Sequence, residues 1–241
     1  METRKIKGMK KYVLTLILII SLVSFTKAQD SSETKDLESW TSIGLKYKIN
    51  KKWTVELLEQ YRLKENISVT DQYFSQLEGA YKLNKNLSLG AGLRYIRSND
   101  NKGNVQGYEN HFRYHFDISL KHKINEFTLK HRLRYQNKNE LGVSEVDGDY
   151  AKKNLRFKTS ISYDFKDWKF DPKFAAEIFN RSQTGGDNGF SKYRLTLGTS
   201  YNMKSAGKID LYYRMEKELN TSLPKTTNII GLKYTYTLKN K

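Results

Sequence analysis

The sequence predicts an all-β chain, an antiparallel up-and-down transmembrane β-barrel of about 10–12 strands with short periplasmic turns and longer extracellular loops. Three observations carry that expectation. Apolar and polar residues alternate with period two through most of the chain, which sends successive side chains to opposite faces of a strand. The connections between alternating segments are short and long in turn. Aromatic residues on the apolar face recur in pairs eight residues apart.

The N-terminus reads as an export signal. Arg4, Lys5, Lys7, Lys10 and Lys11 stand against the single Glu2, and Tyr12–Phe25 is an apolar run of 14 residues. A membrane-spanning helix needs about 20, so the run fits a leader rather than an anchor. Thr26-Lys27-Ala28 places small residues where a signal peptidase reads them. Residues 1–28 are therefore assigned to a signal peptide, 29–36 to a short polar segment and 37–241 to the barrel. The 213 residues after Ala28 hold 37 basic and 25 acidic side chains, a net +12. Export and the lack of a basic run of five or more argue against a nucleic-acid partner. With no cysteine, neither disulfides nor thiolate metal sites are available.

Eleven alternating segments lie near residues 37–49, 53–64, 71–83, 87–97, 108–124, 127–136, 152–165, 168–179, 191–203, 208–217 and 226–238. The clearest places Phe112, Tyr114, Phe116, Ile118, Leu120 and Ile124 on one face. Arg113, His115, Asp117, Ser119, Lys121 and Lys123 fall on the other. Short connections such as Asn50-Lys51-Lys52, Asn84-Lys85-Asn86 and Asn125-Glu126 carry residues that tolerate tight turns. Long ones, 65–70, 98–107, 137–150, 181–190 and 218–225, are polar and often rich in Gly or Asn. A weak repeat, Tyr47-Lys48-Ile49-Asn50-Lys51-Lys52-Trp53 against Tyr81-Lys82-Leu83-Asn84-Lys85-Asn86-Leu87, has the hairpin as its unit.

Alternation by itself fits a soluble barrel as well as a membrane one, because only the facing differs. Aromatic placement favours the membrane. Trp53/Tyr61, Tyr73/Tyr81, Phe127/Tyr135, Phe157/Phe165 and Tyr193/Tyr201 each lie eight apart on the apolar face. At about 3.3 Å per residue that is roughly 26 Å of strand. A tilt near 40° reduces it to about 20 Å of depth, close to an apolar band flanked by two aromatic girdles.

Four features sit awkwardly in this scheme. Eleven is odd where an even number is expected, and the first and last segments would run parallel, so either one segment is no barrel strand or an irregular one escapes the pattern. Pro172 inside a segment points to a bulge or break. Glu59 and His131 fall on the lipid-facing side.

The stretch from Glu38-Ser39-Trp40-Thr41 through Glu56 and Tyr61-Arg62 to Leu77-Glu78-Gly79-Ala80-Tyr81-Lys82-Leu83-Asn84-Lys85-Asn86-Leu87, ending in Leu93-Arg94-Tyr95, resembles an uncharacterised domain-of-unknown-function family of small outer-membrane β-barrels typical of Bacteroidetes-type bacteria. The resemblance covers nearly the whole chain after the leader. It implies an outer-membrane location and supplies no activity and no catalytic residues. The end, Leu238-Lys239-Asn240-Lys241, departs from common barrels in lacking a terminal aromatic.

The functional candidates are the basic residues of the inward face: Arg113, Lys130, Arg132, Arg134, Arg156 and Arg194. They either concentrate small anions or anionic lipid headgroups, or pair with Asp117, Asp164, Asp171 and Glu177 and fill a narrow lumen. The expected function is a non-enzymatic barrel, structural, binding or narrowly anion-conducting. An outer-membrane lipid-modifying hydrolase is the first alternative; a nucleophile needs a base within reach, and outward His122 and His131 lack a nearby serine, Ser75 being two segments away. A soluble periplasmic or secreted β-protein with an apolar ligand is the second. No cofactor is expected. Metal binding is set aside because His111 and His115 are read on opposite faces with no carboxylate cluster beside them.

Cleavage after Ala28 makes Gln29 the first residue of the exported protein. N-terminal sequencing of the envelope fraction checks this, and retention of Met1 or of the apolar run would overturn it.

Overall fold

The computed structural model describes residues 34–239 apart from 102, 105, 166–168 and 187. Residues 1–28, read from the sequence as a signal peptide, lie outside the described residues, as does most of the polar segment after them. Eleven strands form a closed barrel: β1 (Thr34–Lys48), β2 (Trp53–Lys64), β3 (Val69–Lys82), β4 (Leu87–Asp100), β5 (Gly107–Ile124), β6 (Phe127–Glu140), β7 (Lys152–Tyr163), β8 (Phe170–Ser182), β9 (Gly189–Asn202), β10 (Lys208–Glu218) and β11 (Lys225–Lys239). Consecutive strands pair antiparallel, and β1 pairs with β11 in parallel from Thr34–Lys225 to Lys48–Lys239. The expectation of an even count is therefore corrected. In an up-and-down meander an odd count makes the first and last strands run the same way. A parallel ladder satisfies their free N–H and C=O groups as an antiparallel one would, so closure does not require an even number.

Two tight turns share one device. The Asn50 side-chain oxygen accepts from the backbone N–H of Lys52 and of Trp53, both at 2.8 Å. Asn84 does the same for Asn86 and Leu87 at 2.9 and 2.8 Å. The repeat seen in the sequence is thus a repeated side-chain-closed turn. The third copy differs: Asn125 takes a positive φ of 53°, which Asn tolerates better than most residues.

At the opposite end the strands run further than the apolar pattern does. β6 continues to Glu140, β4 to Asp100 and β9 begins at Gly189, all inside stretches read as loops. Those extensions are polar, and ladder hydrogen bonds need no apolar face, so hydropathy could not mark where pairing stops. Pro172 is paired with Thr199 of β9, whereas the β7–β8 ladder ends beside it at Ser162–Lys173. The break is one-sided, and the irregularity in the β8–β9 register falls at Phe179/Asn180 instead.

The facing is apolar-out. Ile43, Leu57, Leu77, Leu93, Phe116, Ile118, Leu197 and Leu232 are exposed on the outer wall, while Arg94, Arg113, Asp117, Arg134, Arg156 and Glu177 are buried inside. Glu59 does face outward, and the Ser75 hydroxyl on the paired strand donates to its carboxylate at 2.8 Å. His131 likewise faces out, bonded through Nδ1 to the Thr159 hydroxyl at 3.0 Å and stacked on Phe157.

Glycines admit bulky inward groups. A Cβ on Gly92 would sit 2.4 Å from the His115 ring, and one on Gly231 2.0 Å from the Tyr212 ring. Tyr212 lies across glycines on both sides, in register with Gly198 of β9 and Gly231 of β11.

Gly231→Ala is expected to destabilise the barrel by about 1–3 kcal/mol through overpacking. Adding Tyr212→Ala should recover most of that loss. Urea unfolding of the folded protein reads both, and equal stability of Gly231→Ala and the parent would refute the packing account.

Candidate functional site in the barrel interior

Strand parity determines which side chains enter the lumen. Even positions of β1, β2, β3, β4, β6, β7, β9 and β10 point inward, as do odd positions of β5, β8 and β11, up to the register shifts that reverse the phase at the loop ends of β3 and β9. Arg113, Arg132, Arg134, Arg156 and Arg194 all line one central cavity of about 540 Å³. Lys130 lines a neighbouring chamber of about 460 Å³ toward the tight turns. The two share Lys158, Tyr212, Arg214 and Lys233 as common wall.

Carboxylates organise the basic groups. Glu177, 3% exposed, is held by Arg132 at 2.8 Å, Arg156 at 2.9 Å and Arg194 at 3.2 Å. Asp117 takes a two-point bond from Arg134, each at 2.6 Å, the fork geometry in which Arg–carboxylate pairs are strongest. Glu216 binds Lys192 at 2.8 Å and also Arg194. Nearer the turns, Glu56 joins Lys46 and Lys233.

Sequence reasoning missed two parts of this interior. Arg62, Arg94 and Arg214 line the same cavity, as do the aromatic rings of Trp40, Phe74 and Phe179. Guanidinium groups lie over these rings, Arg62 at 3.6 Å from the Trp40 centroid, Arg94 at 3.4 Å from Phe74 and Arg156 at 4.4 Å from Phe179. Such stacking lets an aromatic occupy a charged lumen with gain rather than loss. The available signal was parity: Trp40, Phe74 and Phe179 are apolar residues in the polar phase of their strands.

Charge is unevenly spread along the axis. Around the central cavity 14 lining side chains are Lys or Arg against two carboxylates. In the chamber near the tight turns the ratio is seven to one. A smaller pocket of about 240 Å³ toward the long loops has four of each.

The aromatic residues expected to form two girdles lie on the outer face of their strands, except Phe165. Trp53 and Tyr81 are registered and their rings lie 4.7 Å apart at the tight-turn rim; Tyr61 and Tyr73 are registered toward the other. Phe127, Phe157 and Tyr135 are exposed, and Tyr193 and Tyr201 half-exposed. Phe165 lies two residues beyond β7, and it is Tyr163 that meets Phe127, at 4.7 Å.

The histidines need correcting. His111 and His115 are four apart in one strand and so share a face, the inner one; both are buried. Carboxylates also stand beside them. His111 Nε2 is 3.0 Å from Glu109, with Glu140 adjacent, and His115 Nε2 is 3.6 Å from Glu78, with Asp117 adjacent. Both sets have metal-ligand donors, but a cation at the second would meet the Arg134 guanidinium, and Lys138 and Lys152 line the pocket around the first. On the outer wall Ser75 of β3 and His131 of β6 are three strands apart, about 14 Å at ~4.8 Å per strand, so the pair a hydrolase needs is not assembled there.

A family described as Protein of unknown function (DUF2490) matches residues 37–226. No curated protein matches the chain.

Glu177→Gln would leave three guanidinium groups short of their shared anion. A loss of about 3–5 kcal/mol is expected, the cost of stranding buried charge, against under 1 kcal/mol for the exposed Glu145→Gln. Parallel unfolding curves check this, and equal effects would show that Glu177 is no hub.

Proposed function

This chain belongs to that family of unknown function, so its geometry has to speak for it, and we propose that it is a non-enzymatic outer-membrane β-barrel enclosing a cationic chamber that is closed to passage through the barrel. The carrying observation is the inverted facing: leucines, isoleucines and aromatics cover the outside of a closed wall while the ion-paired arginines are within. In water such an outer surface would be far larger than the few hundred Å² of contiguous apolar patch that soluble monomers expose. In a bilayer it is the ordinary requirement, with all strand hydrogen bonds closed on themselves.

The chamber reading, rather than an open pore, is supported by what fills the waist. Arg62 on Trp40, Arg94 on Phe74 and the Glu177 cluster project from opposite walls. A soluble carrier of an apolar ligand would need the reverse facing. In the outer membrane the long loops would lie outside the cell and the strongly basic tight-turn end in the periplasm.

The protein is expected in the outer-membrane fraction, running faster on gels before boiling than after. In planar bilayers it should give no steady conductance, and Arg132→Gln with Arg134→Gln should leave permeability unchanged. A detergent-free monodisperse protein would overturn the membrane reading; anion-selective channels would overturn the closed chamber.

A further inference from the structure

Five guanidinium groups that line the central chamber, those of Arg62, Arg94, Arg113, Arg181 and Arg214, have no carboxylate within ion-pair distance among the described residues. Arg62 bonds Gln60 and Arg214 bonds Thr196, and both lie over rings. Arg94 and Arg113, 8% and 9% exposed, are the least compensated. They converge on one neutral atom, the Gln76 side-chain oxygen, which accepts from Arg94 Nε at 2.8 Å, Arg94 Nη2 at 2.6 Å and Arg113 Nη2 at 3.3 Å. A carbonyl oxygen has two lone pairs, so three donors oversubscribe it. The buried Nε of Arg113 has no acceptor.

The neighbouring acids are committed. Asp117 is taken by Arg134 and Glu177 by three arginines, while Glu78 accepts from Gln76. Two adjacent buried cations without a counter-charge are costly, and they face a cavity of about 540 Å³, the size of a small-molecule site.

Resting on the closed-chamber reading above, we propose that this chamber binds a phosphate-class dianion on the forks of Arg94 and Arg113. Inorganic phosphate and phosphomonoesters up to sugar-phosphate size both fit. A dianion matches two guanidiniums in charge, and its terminal oxygens can accept from both forks at once; a monocarboxylate would leave one cation uncompensated. The ligand enters from the tight-turn end, where the lining is seven basic side chains to one acid, rather than through the loop-end pocket, whose charges balance. Such a gradient concentrates anions and steers them inward.

The test is calorimetric titration of the full exported protein in dodecyl maltoside, at constant ionic strength, with sodium phosphate, glycerol 3-phosphate and acetate. Phosphate and glycerol 3-phosphate should each bind one site per barrel, at least tenfold more tightly than acetate. Arg113→Gln and Arg94→Gln should each weaken binding at least tenfold, and the outward Arg97→Gln should not. Phosphatidic acid, a lipid phosphomonoester, in mixed micelles separates the sources: displacement of glycerol 3-phosphate identifies a lipid headgroup as ligand, and no displacement a free phosphate. The proposal falls if heat-modifiable, folded barrels bind no phosphate, or if both arginine variants bind as the parent does. A barrel that is in the outer membrane and non-conducting yet binds no phosphate sinks only this inference. A conducting or soluble protein sinks the reading beneath it.

Discussion

Closure of the wall is the constraint on which the rest depends. An open eleven-stranded sheet would leave the N–H and C=O groups of β1 and β11 unpaired along 15 residues each, a template for aggregation in water and prohibitively costly in lipid. The parallel seam removes both edges at once. It is reinforced at the loop end, where Lys225 of β11 bonds Asp36 of β1 at 2.9 Å and the backbone N–H of Asn66 donates to the same carboxylate at 3.0 Å. One aspartate thus links the first strand, the last strand and the connection between β2 and β3.

Once the wall is closed, the volume inside must be filled by whatever the inward phase supplies, and here that is charge. Few acids serve many bases: Glu177 holds three arginines, and Glu216 and Glu56 hold two basic groups each. Aromatic rings take part of the remainder by lying under guanidinium planes, and glycines on neighbouring strands leave room for His115 and Tyr212. The result is a lumen packed by polar contacts with a positive remainder at its centre, and that remainder is what gives the interior a chemical preference.

The outer wall is managed differently. Its polar residues find a partner on the adjacent strand rather than water. Ser75 donates to Glu59, His131 bonds Thr159, Tyr95 donates to Asn110 at 2.8 Å and Tyr213 to Asn228 at 2.6 Å. Cross-strand pairing of this kind lowers the desolvation cost of each group. It explains how two residues that look misplaced in a one-dimensional pattern, Glu59 and His131, are carried on an apolar surface.

The sequence by itself determined which segments are strands, their phase and the position of the tight turns, though not where the strands end toward the long loops, because period-two alternation and Asn-closed hairpins are local properties that each segment states independently. It therefore located Arg113, Lys130, Arg132, Arg134, Arg156 and Arg194 on the inner face before any pairing was known. It placed His111 and His115 wrongly only where the parity was misread, and it missed Trp40 and Phe74 because they were weighed by hydropathy rather than by phase. Only the tertiary structure decided how eleven strands close, which acid meets which arginine, and that Arg94 and Arg113 are left to share Gln76. Those outcomes depend on the shear of the barrel, which brings residues from far-apart strands to one point across the lumen, and no local pattern encodes that meeting.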